Sequence, residues 1–79
     1  MENLILYYKP TCPYCKKVQR FMGKNGIDIE MRNIDENESI KNELIEKGGK
    51  NQVPCLLIEG KAMYESSDII DYLKENLVK

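Results

Sequence analysis

Hydrophobic residues follow two different periods along the first third of the chain, and these predict a strand followed by a helix. Residues 3–8 are a short apolar run ended by Lys9-Pro10, which is typical of a buried strand. From Cys12 the spacing becomes helical, and Pro13 suits the first turn because an N–H there needs no intrahelical partner. The apolar face of this helix comprises Cys15, Val18, Phe21 and Met22, with Gly23 and Gly26 as possible ends.

Positions 27–48 predict a second strand and a second helix. Three apolar residues alternate with charged ones in the period of a strand: Ile27, Ile29 and Met31. Asp35 is a predicted helix cap because Glu38 follows three residues later, and Gly48-Gly49 can end the helix. The apolar stripe of this helix comprises Ile40, Leu44 and Ile45.

The last third of the chain predicts a β-hairpin and a third helix. Residues 55–58 and 61–64 are short segments separated by Glu59-Gly60, which predicts a tight turn between antiparallel strands. Ser66 or Ser67 can cap the final helix. The buried stripe of that helix comprises Ile69, Ile70, Leu73 and Leu77.

The resulting element order is βαβαββα. A strand-helix-strand crossover implies parallel pairing and a two-residue hairpin implies antiparallel pairing, so we expect an α/β fold with a four-stranded mixed sheet flanked by three helices. The length of 79 residues leaves room for one domain only, spanning residues 1–79.

Composition and charge narrow the function classes. The chain has no apolar run long enough to span a membrane and lacks the layout of a signal peptide at its start, so the expected location is the cytoplasm. Cations dominate around the first two cysteines, which is either a solvated helix face or a region that attracts an anionic ligand or thiolate. The cations lack interleaved stacking aromatics, so nucleic acid is not an expected partner. We expect a monomer.

Cysteine usage points to redox chemistry. The number of cysteines, three, is odd, which suits a reducing compartment. The chain has no histidine, which excludes catalysis that needs an imidazole. Cys12-Pro13-Tyr14-Cys15 lies where the first strand ends and the helix begins, which is the setting of a redox-active pair. A structural zinc site needs four ligands, and the chain offers only one further cysteine, Cys55. Two inert core cysteines are the remaining alternative.

The helical setting gives the two thiols different predicted roles. Residues three apart on a helix have Cβ atoms about 5–6 Å apart and a disulfide needs about 3.5–4.5 Å, so a small adjustment lets Cys12 and Cys15 bond reversibly. The Cys12 thiolate is favoured by the unpaired N–H groups of the first turn, by the helix dipole and by the nearby Lys9 and Lys16. Burial disfavours charge on Cys15. We therefore expect Cys12 to attack first and Cys15 to resolve the mixed disulfide.

The segment Lys9-Pro10-Thr11-Cys12-Pro13-Tyr14-Cys15 resembles the active-site segment of glutaredoxins, and Val53-Pro54 stands where that thioredoxin-like family has a cis-proline. The element order matches essentially the whole chain. The resemblance implies a thioredoxin-like fold and an oxidoreductase that reduces glutathione mixed disulfides and protein disulfides. Glutathione would be the electron donor, and no cofactor would be bound. An ordinary trans proline is the alternative at Pro54.

The resemblance also implies where glutathione binds. A cis-proline leaves the Val53 backbone free to pair with the cysteinyl unit, and Lys9 meets the glycyl carboxylate. Thr11, Tyr14 and Gln52 also count among the glutathione-binding positions. Gln52 stands where many glutaredoxins have threonine.

Glu65-Ser66-Ser67 is similar to a glutamate-serine pair of glutathione transferases and larger glutaredoxins. In those proteins the serine at the helix start holds the γ-glutamyl carboxylate, which is anion binding at a helix N-terminus. Ser66 is the first choice for this role and Ser67 the second. A plain capping serine is the alternative for each.

Other functions remain open. Cys55, directly after the proline, is either a buried core residue or a third redox thiol. A thioredoxin would take electrons from a flavoprotein reductase, although the tryptophan of its usual motif is absent. A carrier that bridges an iron–sulfur cluster would use Cys12 and glutathione as ligands. A glutathione transferase would need a further helical domain.

Overall fold

The computed structural model describes residues 4–77. The elements in chain order are β1 (Leu4–Tyr8), α1 (Pro13–Lys24), β2 (Glu30–Asn33), α2 (Glu38–Gly48), β3 (Cys55–Ile58), β4 (Lys61–Met63) and α3 (Ser66–Leu77). This is the predicted order of strands and helices. Asn3, the predicted first residue of β1, lies outside the described residues. Within residues 4–77, no helix combines the length and the apolar character needed to cross a bilayer.

The strands form one mixed sheet in the order β2-β1-β3-β4. β1 pairs with β2 in parallel and with β3 in antiparallel orientation, and β3 pairs with β4 in antiparallel orientation. The β3-β4 hairpin turns at Glu59 and Gly60, whose φ angles are 48° and 89°. Positive φ at both positions matches the twist of two-residue hairpins. The predicted fold class and hairpin are confirmed.

Helices cover both faces of the sheet. α1 and α3 pack on one face around a cluster of Leu4, Leu6, Val18, Met22, Leu56, Ile69 and Leu73. α2 packs on the other face, where the cluster comprises Tyr7, Ile34, Leu44, Cys55 and Leu57. Full burial of a large apolar side chain stabilises the fold by about 1.5–3 kcal/mol relative to exposure, so these clusters fix the helices on the sheet.

The second strand is shorter than its hydrophobic alternation predicts. Ile27 and Ile29 precede β2, although both pack against the α1-α3 core. The Ile27 N–H donates to the Met22 carbonyl oxygen at 3.0 Å, and pairing with β1 begins only at Glu30. Met31 lies in the strand but is 37% exposed at the edge of the sheet. The alternation therefore reflects packing beside the end of α1 more than strand pairing.

The predicted cap of α2 is wrong. Asn37 caps the helix, and its Oδ1 accepts the Ile40 N–H at 3.0 Å. Asp35 instead belongs to a turn in which its N–H donates to Asn33 Oδ1 at 2.8 Å. Because this turn occupies residues 33–36, the helix begins later than the capping pattern predicts.

Two residues of the predicted apolar stripes are exposed. Ile45 is 40% exposed because it follows the buried Leu44 directly and so lies about 100° around the helix from it. Leu77 is 38% exposed at the last position of α3, one turn beyond the buried Leu73. The remaining stripe residues are buried or half-buried as predicted.

A buried polar contact joins α2 to the sheet. Tyr7 in β1 is fully buried, and its hydroxyl donates to Glu43 Oε2 at 2.5 Å. The same oxygen pairs with Arg32 of β2, which also pairs with Glu30 at 2.6 Å. The hydrogen bonds from Tyr7 and Arg32 hold the pKa of the Glu43 carboxyl below its usual value despite partial burial.

We expect Glu43→Ala to lower the free energy of unfolding by about 1–3 kcal/mol at neutral pH, because the buried Tyr7 hydroxyl loses its acceptor. The folded-state pKa of Glu43 lies below the unfolded one. Its carboxylate therefore stabilises the fold above the ordinary glutamate pKa, and this contribution is lost as the pH falls through the lower folded value. The difference between wild type and variant should shrink in acid.

Urea unfolding at several pH values measures this effect. Glu46→Ala is the matched control, because Glu46 is an exposed glutamate on the same helix. Equal losses in the two variants at neutral pH would contradict the role given to Glu43.

Candidate active site

Cys12 stands at the junction between β1 and α1. Its backbone is extended (φ −83°, ψ 118°), it is the N-cap residue of α1, and Pro13 occupies the first helical position. A turn precedes it, in which the Cys12 N–H donates to the Lys9 carbonyl oxygen at 3.2 Å. The Cys12 Sγ accepts the Cys15 N–H at 3.4 Å, so the sulfur replaces the usual side-chain oxygen of a helix cap. The predicted strand-to-helix setting is confirmed.

The two thiols differ in accessibility. Cys12 is half-buried, whereas Cys15, one turn into α1, is fully buried. Burial raises the pKa of the Cys15 thiol to about 12, and the neighbouring Cys12 adds to this effect. A hydrogen bond from the Lys9 backbone and the charge of Lys9 oppose it. Cys15 is therefore held as a neutral thiol beside the more accessible sulfur.

The Val53-Pro54 peptide bond lies beside these thiols and is cis, as predicted. The Cys12 Sγ is 3.9 Å from the Val53 carbonyl oxygen. The two segments meet because β1 and β3 are antiparallel neighbours with Tyr7 opposite Cys55. The residues before Cys55 therefore run past the end of β1, where the turn to Cys12 begins.

A cavity of about 270 Å³ lies beside this junction. Its walls come from α1, the cis-proline segment and the start of α3, and the lining residues are Tyr14, Gln52, Val53, Pro54, Tyr64, Glu65 and Ser66. We call this the cis-proline cavity. Six of these seven residues are predicted glutathione-binding positions. Of the other predicted positions, Lys9 is half-buried, Thr11 and Ser67 are exposed, and all three lie outside the lining.

Tyr64 is the lining residue that the sequence analysis missed. Its hydroxyl oxygen is buried and has no hydrogen-bond partner of normal geometry within residues 4–77. Burial raises the pKa of this hydroxyl, and the nearby Cys55 thiol adds to the shift. A Cβ at Gly48 would overlap the Tyr64 hydroxyl, so a larger residue at the end of α2 would displace the end of this side chain. The only sequence signal was its position directly before Glu65-Ser66.

The start of α3 differs from the predicted capping by serine. The Ile69 N–H donates to the Glu65 carbonyl oxygen at 2.9 Å, so Glu65 holds the cap position and Ser66 is the first helical residue. The first backbone N–H groups of a helix have no intrahelical acceptor. Ser66 is half-buried in the cavity wall, and Ser67 is exposed. The helix N-terminus therefore presents its donors at one end of the cis-proline cavity.

Cys55 follows Pro54 at the start of β3 and is fully buried in the core cluster under α2. Burial raises the pKa of its thiol to about 11. All three cysteines are unpaired. This position fits the core interpretation of Cys55 better than that of an accessible redox thiol.

A larger cavity, of about 590 Å³, lies at the far end of the sheet. Its lining includes Leu4 and Ile5 at the start of β1 and Gly60 in the hairpin turn. Neither lining includes a cysteine, but the cis-proline cavity includes Val53, whose carbonyl oxygen is 3.9 Å from the Cys12 sulfur. Because β1 separates this end from Cys12, the smaller cis-proline cavity is the candidate active site.

Similar structures include both glutaredoxins and glutathione transferases. The glutaredoxin of Archaeoglobus fulgidus has a TM-score of 0.74 at 25% identity, with 95% of this chain and 85% of that chain covered. The glutathione transferase Omega 3C of Trametes versicolor has a TM-score of 0.78 at 26% identity and covers 92% of this chain. This chain spans only 33% of that transferase.

Sequence comparisons give the family. The glutaredoxin family model matches residues 4–63. Glutaredoxin 1 of Rickettsia prowazekii is 30% identical over 79 residues, which cover 95% of this chain and 81% of the relative. Glutaredoxin 3 of Escherichia coli K12 is 29% identical over 69 residues, which cover 87% and 83%. Together with the cysteine pair at the start of α1, these matches show that the chain belongs to the glutaredoxin family of thiol-disulfide oxidoreductases.

Proposed function

We propose that this protein reduces glutathione mixed disulfides and protein disulfides, with glutathione as the electron donor and no bound cofactor. The observation that carries the proposal is the cis-proline cavity, whose volume of about 270 Å³ suits a tripeptide. One wall is Val53, whose carbonyl oxygen lies 3.9 Å from the Cys12 sulfur, and the start of α3 forms another wall. The backbone donors at that N-terminus suit a carboxylate, and the adjacent proline segment suits an extended peptide.

The monothiol step uses Cys12 alone. The Cys12 thiolate attacks the glutathione sulfur of a mixed disulfide, and the protein substrate leaves as a thiolate that takes up a proton. Cys12 is then bonded to glutathione. A second glutathione thiolate attacks this bond, which releases oxidised glutathione and restores the Cys12 thiolate. The Cys15 N–H that bonds Cys12 Sγ supports the thiolate before attack and after release.

Protein disulfides require Cys15. After Cys12 forms a mixed disulfide with the substrate, Cys15 loses its proton and attacks the Cys12 sulfur. The substrate leaves with both of its thiols reduced, and the Cys12–Cys15 disulfide remains for two glutathione molecules to reduce. Burial keeps Cys15 protonated until this step, and the Lys9 backbone and charge favour the thiolate that forms.

Glutathione would lie along the cis-proline cavity. The Val53 backbone would pair with its cysteinyl unit next to Cys12, and Lys9 would meet its glycyl carboxylate, with Thr11 nearby. The γ-glutamyl carboxylate would meet Ser66, or Ser67 as the second choice, at the start of α3. Tyr14, Gln52 and Glu65 would complete the walls, and the Glu65 carboxylate suits the ammonium group of the γ-glutamyl unit.

We also infer that the protein acts as a monomer of one domain, residues 1–79, in the cytoplasm. The odd number of cysteines, all unpaired, supports a reducing compartment.

We expect Cys12→Ser to abolish reduction of a glutathione mixed disulfide and Cys15→Ser to retain it, because only Cys12 attacks that substrate. The assay couples glutathione oxidation to glutathione reductase. Reduction of insulin disulfides should require both cysteines. If the wild type fails with glutathione but reduces insulin through thioredoxin reductase, the proposed electron donor is wrong.

We expect Ser66→Ala to raise the KM for glutathione mixed disulfide about tenfold with little change in kcat, since one hydrogen bond to a charged carboxylate is lost. Ser67→Ala decides between the two serines, and a larger effect there would reverse their order. Ser39→Ala is the control, because Ser39 is exposed on α2, outside the cavity. An unchanged KM in both α3 variants would remove the γ-glutamyl assignment.

A further inference from the structure

The exposed face of α1 carries an unbalanced positive charge. Four of its side chains are exposed cations: Lys16, Lys17, Arg20 and Lys24. The helix sequence contains no acidic residue. Among residues 4–77, the ion pairs involve Arg32 and not the cations of α1. This charge is therefore available to a ligand.

Three of these cations surround a groove between α1 and α3. The groove has a volume of about 280 Å³, and its lining comprises Lys17, Arg20, Phe21, Lys24 and Ile70. Phe21 and Ile70 are half-buried and pack against the core beneath, so they form an apolar floor between charged walls. We call this the basic groove. Its chemistry suits a segment that carries carboxylates together with aliphatic side chains.

The basic groove begins close to the reactive sulfur, because Cys12 caps α1 and the groove lies along the same helix. With a rise of about 1.5 Å per residue, Lys17 lies about 8 Å and Lys24 about 18 Å from Cys12 along the helix axis. An extended peptide covers about 3.3 Å per residue. A peptide whose cysteine is bonded to Cys12 could therefore place residues about two to five positions away against the groove.

We propose that the basic groove docks an acidic segment of protein substrates, flanking the disulfide that Cys12 attacks. The inference rests on the proposed thiol-disulfide exchange and adds a substrate preference to it. Glutathione itself does not need this surface, because the basic groove and the cis-proline cavity share no lining residue. The groove therefore separates acidic protein substrates from neutral or basic ones without altering the use of glutathione.

A pair of disulfide-containing peptides tests this preference, with glutathione as the reductant. Both contain two cysteines joined in one disulfide and the same leucines, and the flanking residues are glutamates in one peptide and glutamines in the other. Wild type should show the higher kcat/KM for the glutamate peptide, and salt should reduce the difference by screening. Lys17→Glu with Arg20→Glu should lower kcat/KM for the glutamate peptide about tenfold relative to the glutamine peptide, since each exposed ion pair contributes a few-fold.

The matched control reverses two cations elsewhere, at Lys41 and Lys61, which are exposed on α2 and β4. Lys41→Glu with Lys61→Glu should leave the ratio of the two peptides close to the wild-type value. Equal rates with both peptides in wild type, or an equal loss in the control variant, would overturn the inference while leaving the glutathione proposal intact.

A binding measurement separates this inference from the proposed reaction. The probe is the glutamate peptide with serine in place of both cysteines and a fluorescent label, followed by anisotropy. Wild type should bind it more tightly than the glutamine version, and the Lys17→Glu, Arg20→Glu variant should lose that difference even if no glutathione activity is found. Absence of peptide binding, with retention instead on vesicles of phosphatidylcholine and phosphatidylserine, would assign the groove to a membrane surface and overturn the proposal.

Discussion

The first turn of α1 constrains the thiol chemistry of the molecule, because the side chain that caps this helix is the thiol of Cys12. The Cys12 Sγ accepts the Cys15 N–H, and Pro13 removes one donor that would otherwise need a partner. A backbone N–H donor and the positive end of a helix both interact more favourably with an anion than with a neutral group. The contact that caps α1 is therefore the same contact on which the proposed reaction of Cys12 depends.

The sheet brings the rest of the site to this turn. β1 lies between β2 and β3, and its end is the point from which the chain passes to Cys12. The antiparallel register with β3 delivers the cis-proline segment to the same edge. Core packing then separates the cysteines by burial: Cys15 and Cys55 are fully buried, and only Cys12 is accessible.

Much of this arrangement could be predicted from local sequence. The strand-to-helix junction at Cys12 and the turn at Glu59-Gly60 depend on a few neighbouring residues, and both are confirmed. One error arose from a distant partner and the other from a competing local turn. The alternating residues Ile27 and Ile29 pack against the core beside α1, but neither of them pairs with β1. The Asn33 side chain accepts the Asp35 N–H, and the turn that this bond stabilises occupies the place where the start of α2 was predicted.

Within the candidate site, the position of Tyr64 also depends on residues that are distant in the sequence. Its place in the cavity wall depends on Gly48, sixteen residues earlier in the chain, and on the buried Cys55 beneath it. Neither neighbour is visible in the local pattern around residue 64, which only marks the end of a strand. A tyrosine that closes a cavity and one that covers a core have the same hydrophobic signature, because both bury the ring. The difference lies in where the hydroxyl points.

The cis-proline cavity and the basic groove differ in character, and this limits what each can select. The cis-proline cavity combines an apolar wall with helix-terminal donors, which suit one short peptide bound along its backbone. The basic groove, farther along α1 and α3, offers charge and an apolar floor without backbone donors, which suit a type of composition more than one sequence. The proposed function, with glutathione as one donor for several protein substrates, would use this division. The cis-proline cavity would hold the constant partner, and the basic groove would contact the variable one.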